Sequence, residues 1–178
     1  MLLLPAAARA HNEAGRVRPG LPAPDLRLTL HDGRKTTLPK LLSGRTTALQ
    51  TMFTTCSATC PIQGALFAAV QAQLMSAPKQ IQLVSLTIDP LGDDTKAMQA
   101  WLKRYGAGPR WLGAIPEVND VDRLFDFVKA RNVGADRHTA QAYLFNSRAE
   151  LVMRTVDFPP PEGLTAMLLT LSKNDAPA

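Results

Sequence analysis

The feature that most constrains this chain is an apolar, strand-like run that gives way to a helix at a proline. "TTALQTMF" (46–53) has the character of a buried strand. After Pro61, the residues Ile62, Leu66, Ala69, Val70 and Leu74 recur at helical spacing, which predicts a helix with one apolar face. "IQLVSLTI" (81–88) is a second buried-type strand. The alternation then repeats. Met98, Trp101, Leu102 and Tyr105 mark a further helix, "RWLGAI" (110–115) a short strand, and Val121, Leu124, Phe125 and Val128 another helix. Strands alternating with helices imply a partly parallel sheet covered on both faces.

The flanks add antiparallel pieces. "DLRLTLHDGRKTTL" (25–38) alternates about Asp32-Gly33, a hairpin signal. "AYLFNSRAELVMRTV" (142–156) reads as two strands around Asn146-Ser147-Arg148. Beyond the prolines 159–161, Leu164, Met167, Leu168 and Leu171 make a closing helix. The expected architecture is a three-layer α/β/α sandwich with an N-terminal β-hairpin, spanning residues 21–173. Residues 1–20, rich in Ala, Pro and Gly, read as a disordered lead, and 174–178 as a tail.

The chain has 178 residues, enough for one domain, with 46% apolar and 20% charged residues, a soluble globular balance. Its net charge is +5, but the basic residues are scattered along the chain with no aromatic interleaving, so they read as a solvated surface that favours acidic partners and not nucleic acid. No stretch approaches the ~18 apolar residues of a membrane span. "MLLLPAAARA" ends in an A-x-A pattern, which points to the remnant of an export signal.

Both cysteines, Cys56 and Cys60, fall within "FTTCSATCP", at the C-terminal end of a central strand, where open α/β sheets place their sites. A proline suits the first turn of a helix, so Cys60 lies at the helix start and Cys56 in the loop leading into it. Free N–H groups and the helix dipole there favour a thiolate. Two such thiols can close a disulfide with some loop distortion, or hold a metal ion together with a further ligand. Of the three histidines, His11 is in the lead and His31 in the hairpin turn, and both read as ordinary exposed residues. His138 precedes the strand at 142, in a loop that should face the cysteines; by spacing alone it is either a ligand or a solvated loop histidine.

Taken together, Cys-x-x-x-Cys-Pro after "FTT", "TIDP" followed by acids, the histidine before "YLFN" and the opening "PDLRLTLHDGRKTTLPKLLSG" resemble the Sco/SenC family of copper-binding proteins. The resemblance covers Leu21 to Leu171. It implies a thioredoxin-like fold, with Cys56, Cys60 and His138 as ligands of copper, a soft donor set suited to Cu(I). It implies a monomeric metallochaperone, periplasmic or otherwise exported, with a membrane anchor in an upstream segment. The implied partners are a cytochrome c oxidase subunit or other copper acceptor, and a thiol reductant protein. Copper would go to the CuA centre, or the cysteines of that centre would be reduced by the redox-active pair.

Two positions depart from the family pattern. The residue directly before the histidine is commonly aspartate; here it is Arg137, with Asp136 one step back. After Asp89-Pro90 the segment reads "LGDDTK", so Asp93 fits while Thr95 replaces a proline. The alternative function is a thiol–disulfide oxidoreductase without a metal role. Its usual Cys-x-x-Cys is one residue shorter, and "DRHTAQAY" lacks the proline such enzymes carry there. A peroxidase would need a threonine three residues before its cysteine, where Phe53 and Ser57 stand.

Overall fold

The computed structural model describes residues 14–131 and 138–175. In chain order the elements are β1 (Gly15–Pro22), β2 (Arg27–Leu30), β3 (Lys35–Thr37), α1 (Leu38–Leu42), β4 (Thr46–Met52), α2 (Thr59–Gln73), β5 (Ile81–Thr87) and α3 (Thr95–Arg104). There follow β6 (Trp111–Pro116), a short 3-10 turn, α4 (Val121–Val128), β7 (Tyr143–Phe145), β8 (Glu150–Arg154) and α5 (Pro161–Asn174). The strands form one sheet in the order β1-β8-β7-β4-β5-β6-β2-β3.

All seven residues of β4 and of β5 are buried, as expected for strands covered on both faces. β4, β5 and β6 run parallel, while β7 and the β2–β3 hairpin attach antiparallel on either side. Side chains alternate across the sheet. Leu49, Val84, Leu86, Tyr143 and Phe145 join Leu38, Leu42, Leu124 and Phe125 in one core, under α1 and α4. Ala48, Met52, Leu83 and Leu144 join Phe67, Val70, Met98, Trp101, Leu164 and Leu168 in the other, under α2, α3 and α5. Within the sheet, Ser85 Oγ accepts from both Gln50 Nε2 and Trp111 Nε1, each at 2.9 Å.

The expected three-layer sandwich and N-terminal hairpin are present. Three expectations need correction. The lead is ordered from residue 15, because β1 pairs along β8, Gly15 opposite Arg154 and Leu21 opposite Leu151; residues 1–13, with His11, lie outside the described residues. Asn174 belongs to α5 and not to the tail, while 176–178 lie outside the described residues. Ile62 is 56% exposed. The helix turns inward on Cys60, Gln63, Phe67 and Val70, and at about 100° per residue position 62 points roughly 200° away from Cys60.

Candidate metal centre

Phe53 follows β4, and a turn closed by the Cys56 amide on the Phe53 carbonyl (3.2 Å) carries the chain toward α2. The amide of Cys60, in the first turn of α2, has no partner within the helix and donates to Cys56 Sγ at 3.3 Å. Sequence reasoning placed Cys60 at the helix start; it is the Cys56 sulfur that receives the helix-start N–H. Partial burial pushes the Cys56 thiol up. Hydrogen bonds from the Cys60 thiol and from the Cys60, Ala58 and Thr59 amides outweigh that and hold it below the ordinary value. Cys56 is half-buried, Cys60 fully buried, and the two are not joined in a disulfide.

His138 is buried, 2% exposed, so the solvated-loop alternative does not hold. Its backbone pairs with Arg131, and the next amide, of Thr139, donates to the Ala130 carbonyl at 3.1 Å. On the other side the Ala140 amide donates to Asp157 Oδ1 (2.8 Å) and the Ala140 carbonyl accepts from the Phe158 amide (3.1 Å). The histidine thus enters β7 stitched to the end of α4 and to the segment after β8. Its Nδ1 lies 2.9 Å from the Thr139 carbonyl, which can only accept, so Nδ1 carries the proton. In the neutral ring Nε2 then bears the lone pair, and it faces Cys60 Sγ at 3.7 Å. Phe53 packs edge-on against the imidazole, with ring centroids 6.0 Å apart.

The donor set fits a small soft ion. Bonds of about 2.3 Å to sulfur and about 2.0 Å to imidazole nitrogen, opened at a trigonal angle, set two donors on one ion about 3.7 Å apart. Cys60 and His138 stand at that separation, and the Cys60 amide donates to the Cys56 sulfur. No three His, Cys, Asp or Glu side chains form a ready-made cage among the described residues. A space of about 610 Å³ lies away from these residues, between β1, β8 and α5, lined by Val17, Val152 and Met167 among others. His31 stands apart in its hairpin turn, half-buried and not exposed as expected, with Nδ1 accepting from the Gly113 amide at 3.3 Å.

Sequence reasoning missed Thr139 and Phe53 as neighbours of the imidazole. Phe53 was visible as the last apolar residue before the cysteine loop. Thr139 acts through a main-chain carbonyl, which no side-chain pattern reveals. Asp136 and Arg137 lie outside the described residues. Thr95, where the family has proline, is the first residue of α3, a position that proline favours but other residues fill freely, with Asp94 capping the helix through Oδ1 on the Ala97 amide (2.7 Å).

A thioredoxin-like α/β/α domain carrying two neighbouring cysteines and a buried imidazole at the C-terminal end of its central strands is the class these features define. The chain belongs to the SCO1/SenC family, whose model matches residues 21–172. No curated protein matches it significantly. It is similar to a SCO1/SenC family lipoprotein from Bacillus anthracis, at 18% identity, covering 86% of this chain and 96% of that one, with a TM-score of 0.75. It is equally similar to yeast Sco1 with copper bound, at 19% identity over 90% of this chain and 92% of that one, TM-score 0.75. A third is BsSco, a member of the Sco family of cytochrome c oxidase assembly proteins described as having a disulfide switch, at 16% identity over 87% and 95%, TM-score 0.73. At these identities the likeness carries the fold. No helix among the described residues is long and apolar enough to cross a membrane.

Proposed function

We propose that this protein is a copper-binding metallochaperone that holds the metal through Cys56, Cys60 and His138. It delivers copper to, or reduces the cysteines of, the CuA centre of cytochrome c oxidase or a related copper enzyme. The observation that carries the reading is the 3.7 Å approach of His138 Nε2 to Cys60 Sγ, with Nδ1 tied to the Thr139 carbonyl so that the lone pair faces the sulfur. Two thiolates and an imidazole suit Cu(I), and the imidazole adds the nitrogen donor that Cu(II) prefers. The copper-bound yeast relative and the cytochrome c oxidase assembly role of BsSco support the choice of cargo and acceptor. The lipoprotein relative and the A-x-A pattern support an exported protein.

The same thiols can do redox work. The Cys56 thiolate attacks one sulfur of an acceptor disulfide, forming a mixed disulfide and releasing the other sulfur as thiolate. Cys60 then loses its proton and displaces the second, so the acceptor gains two electrons and the chaperone closes its own disulfide. A thiol reductant protein restores the dithiol. Oxidation takes two of the three donors from copper, so loading requires the reduced form.

Titration of the reduced protein with Cu(I), read by native mass, should give one copper per chain. Cys56→Ala and Cys60→Ala should each weaken binding, and the fully oxidised protein should not load. Undiminished affinity in those variants would overturn the assignment.

The lowered Cys56 thiol also favours the oxidoreductase reading, in which His138 has no part. That reading expects His138→Ala to keep its rate of disulfide reduction and the parent protein to bind no copper.

A further inference from the structure

One buried carboxylate belongs to neither the thiols nor the imidazole. Asp93, in the loop between β5 and α3, is 4% exposed. Its oxygens accept from the Thr54 amide at 3.1 and 3.2 Å; Oδ1 also accepts from Thr54 Oγ1 and Oδ2 from Thr87 Oγ1, each at 2.5 Å. Thr87 is the last residue of β5, and Thr54 stands two residues before Cys56, inside the turn that the Cys56 amide closes on Phe53. Asp93 therefore pins the entrance of the cysteine loop to the neighbouring strand.

The direction of these bonds is fixed by the backbone. The Asp89 amide donates to Thr87 Oγ1 at 3.0 Å, so that hydroxyl turns its own proton toward Asp93. Thr54 offers two further donors. Both carboxylate oxygens must accept, and an amide at this position would set its NH2 group against a donor already committed. An unmade bond to a buried group costs about 1–3 kcal/mol.

We infer that Asp93 is a positioning residue for the thiol site: through Thr54 it holds the Cys56 turn so that the Cys56 sulfur stays over the Cys60 amide. Asp93 touches neither sulfur. The inference rests on reading Cys56 as a working thiol, and it concerns the copper-free protein, so it can fail while copper binding succeeds, and the reverse.

The Cys60 amide is a local reporter. It lies in the first turn of α2 and donates to Cys56 Sγ, so its protection from hydrogen exchange reports on that contact. In the reduced, copper-free chain, Asp93→Asn should speed exchange at Cys60 by about tenfold or more while Phe67 and Val70, inside α2, exchange as before. Thr54→Ser, which keeps both donors, should match the parent, and Thr54→Val should fall between. If Asp93→Asn does not fold, Thr54→Val carries the test alone. Unchanged exchange at Cys60 in the folded variants, or equal acceleration at Cys60, Phe67 and Val70, would overturn the inference.

Discussion

The amide of Cys60 donates to the sulfur of Cys56 across 3.3 Å, so the partly exposed thiol of the pair is the one that the helix start stabilises as thiolate. The folded-state value of Cys56 lies below its ordinary one. The thiolate then contributes stability that is fully present above the ordinary thiol value of about 8.5 and is lost as pH falls through the lowered value.

Under reducing conditions, stability should therefore rise with pH across the window just below the ordinary thiol range, and Cys56→Ser should remove that rise. Urea denaturation of both proteins across this range checks it. Parallel curves for parent and variant would count against a stabilised thiolate.

Tyr143 works in the opposite direction. Burial pushes its hydroxyl well above the usual tyrosine range, and the 2.7 Å bond with Thr139 Oγ1 offsets this only in part. A raised folded-state value gives stability that is complete below the ordinary value of about 10 and lost as pH rises above it. The parent should weaken above about pH 10, and Tyr143→Phe should weaken less steeply, at the cost of about 1 kcal/mol at neutral pH for the lost bond. Denaturant titrations on either side of pH 10 measure both slopes.

Gly64 lies on α2 one turn after Cys60, where a Cβ would stand 2.6 Å from the Tyr105 ring. Replacing a helical glycine by alanine ordinarily stabilises by about 0.5–1 kcal/mol. An aromatic ring in contact with Trp101, centroids 4.8 Å apart, is not a flexible neighbour, and forced overpacking costs about 1–3 kcal/mol. The clash wins, so Gly64→Ala should lower the melting temperature. An increase would mean that the ring gives way freely.

Much of this was legible in the residues. The β4-α2-β5 unit declared itself because its apolar periods switch from strand to helix at a proline, and "HDGR" declared the hairpin. β1 did not, because Arg16, Arg18, Pro19 and Gly20 carry no apolar alternation; its place comes from backbone pairing to β8. The exposure of Ile62 was hidden for a related reason: the helix phase is set by which residues the sheet receives, and Cys60 and Gln63 take the inward positions. Spacing alone left His138 open between two roles. Its burial depends on strand-like pairing with Arg131, and its tautomer on a main-chain carbonyl, neither of which is written in side chains.

The central claim is that both thiols and the His138 imidazole hold one copper ion, and X-ray absorption at the copper edge tests it most directly. The reduced protein loaded with one Cu(I) should show two sulfur neighbours and one nitrogen carrying the multiple-scattering pattern of an imidazole. His138→Ala should keep the sulfurs, lose that pattern, and bind Cu(II) at least about 10–100-fold more weakly, since a direct ligand should matter no less than an outer one. A copper environment without sulfur, or an imidazole signal that survives in His138→Ala, would contradict the account.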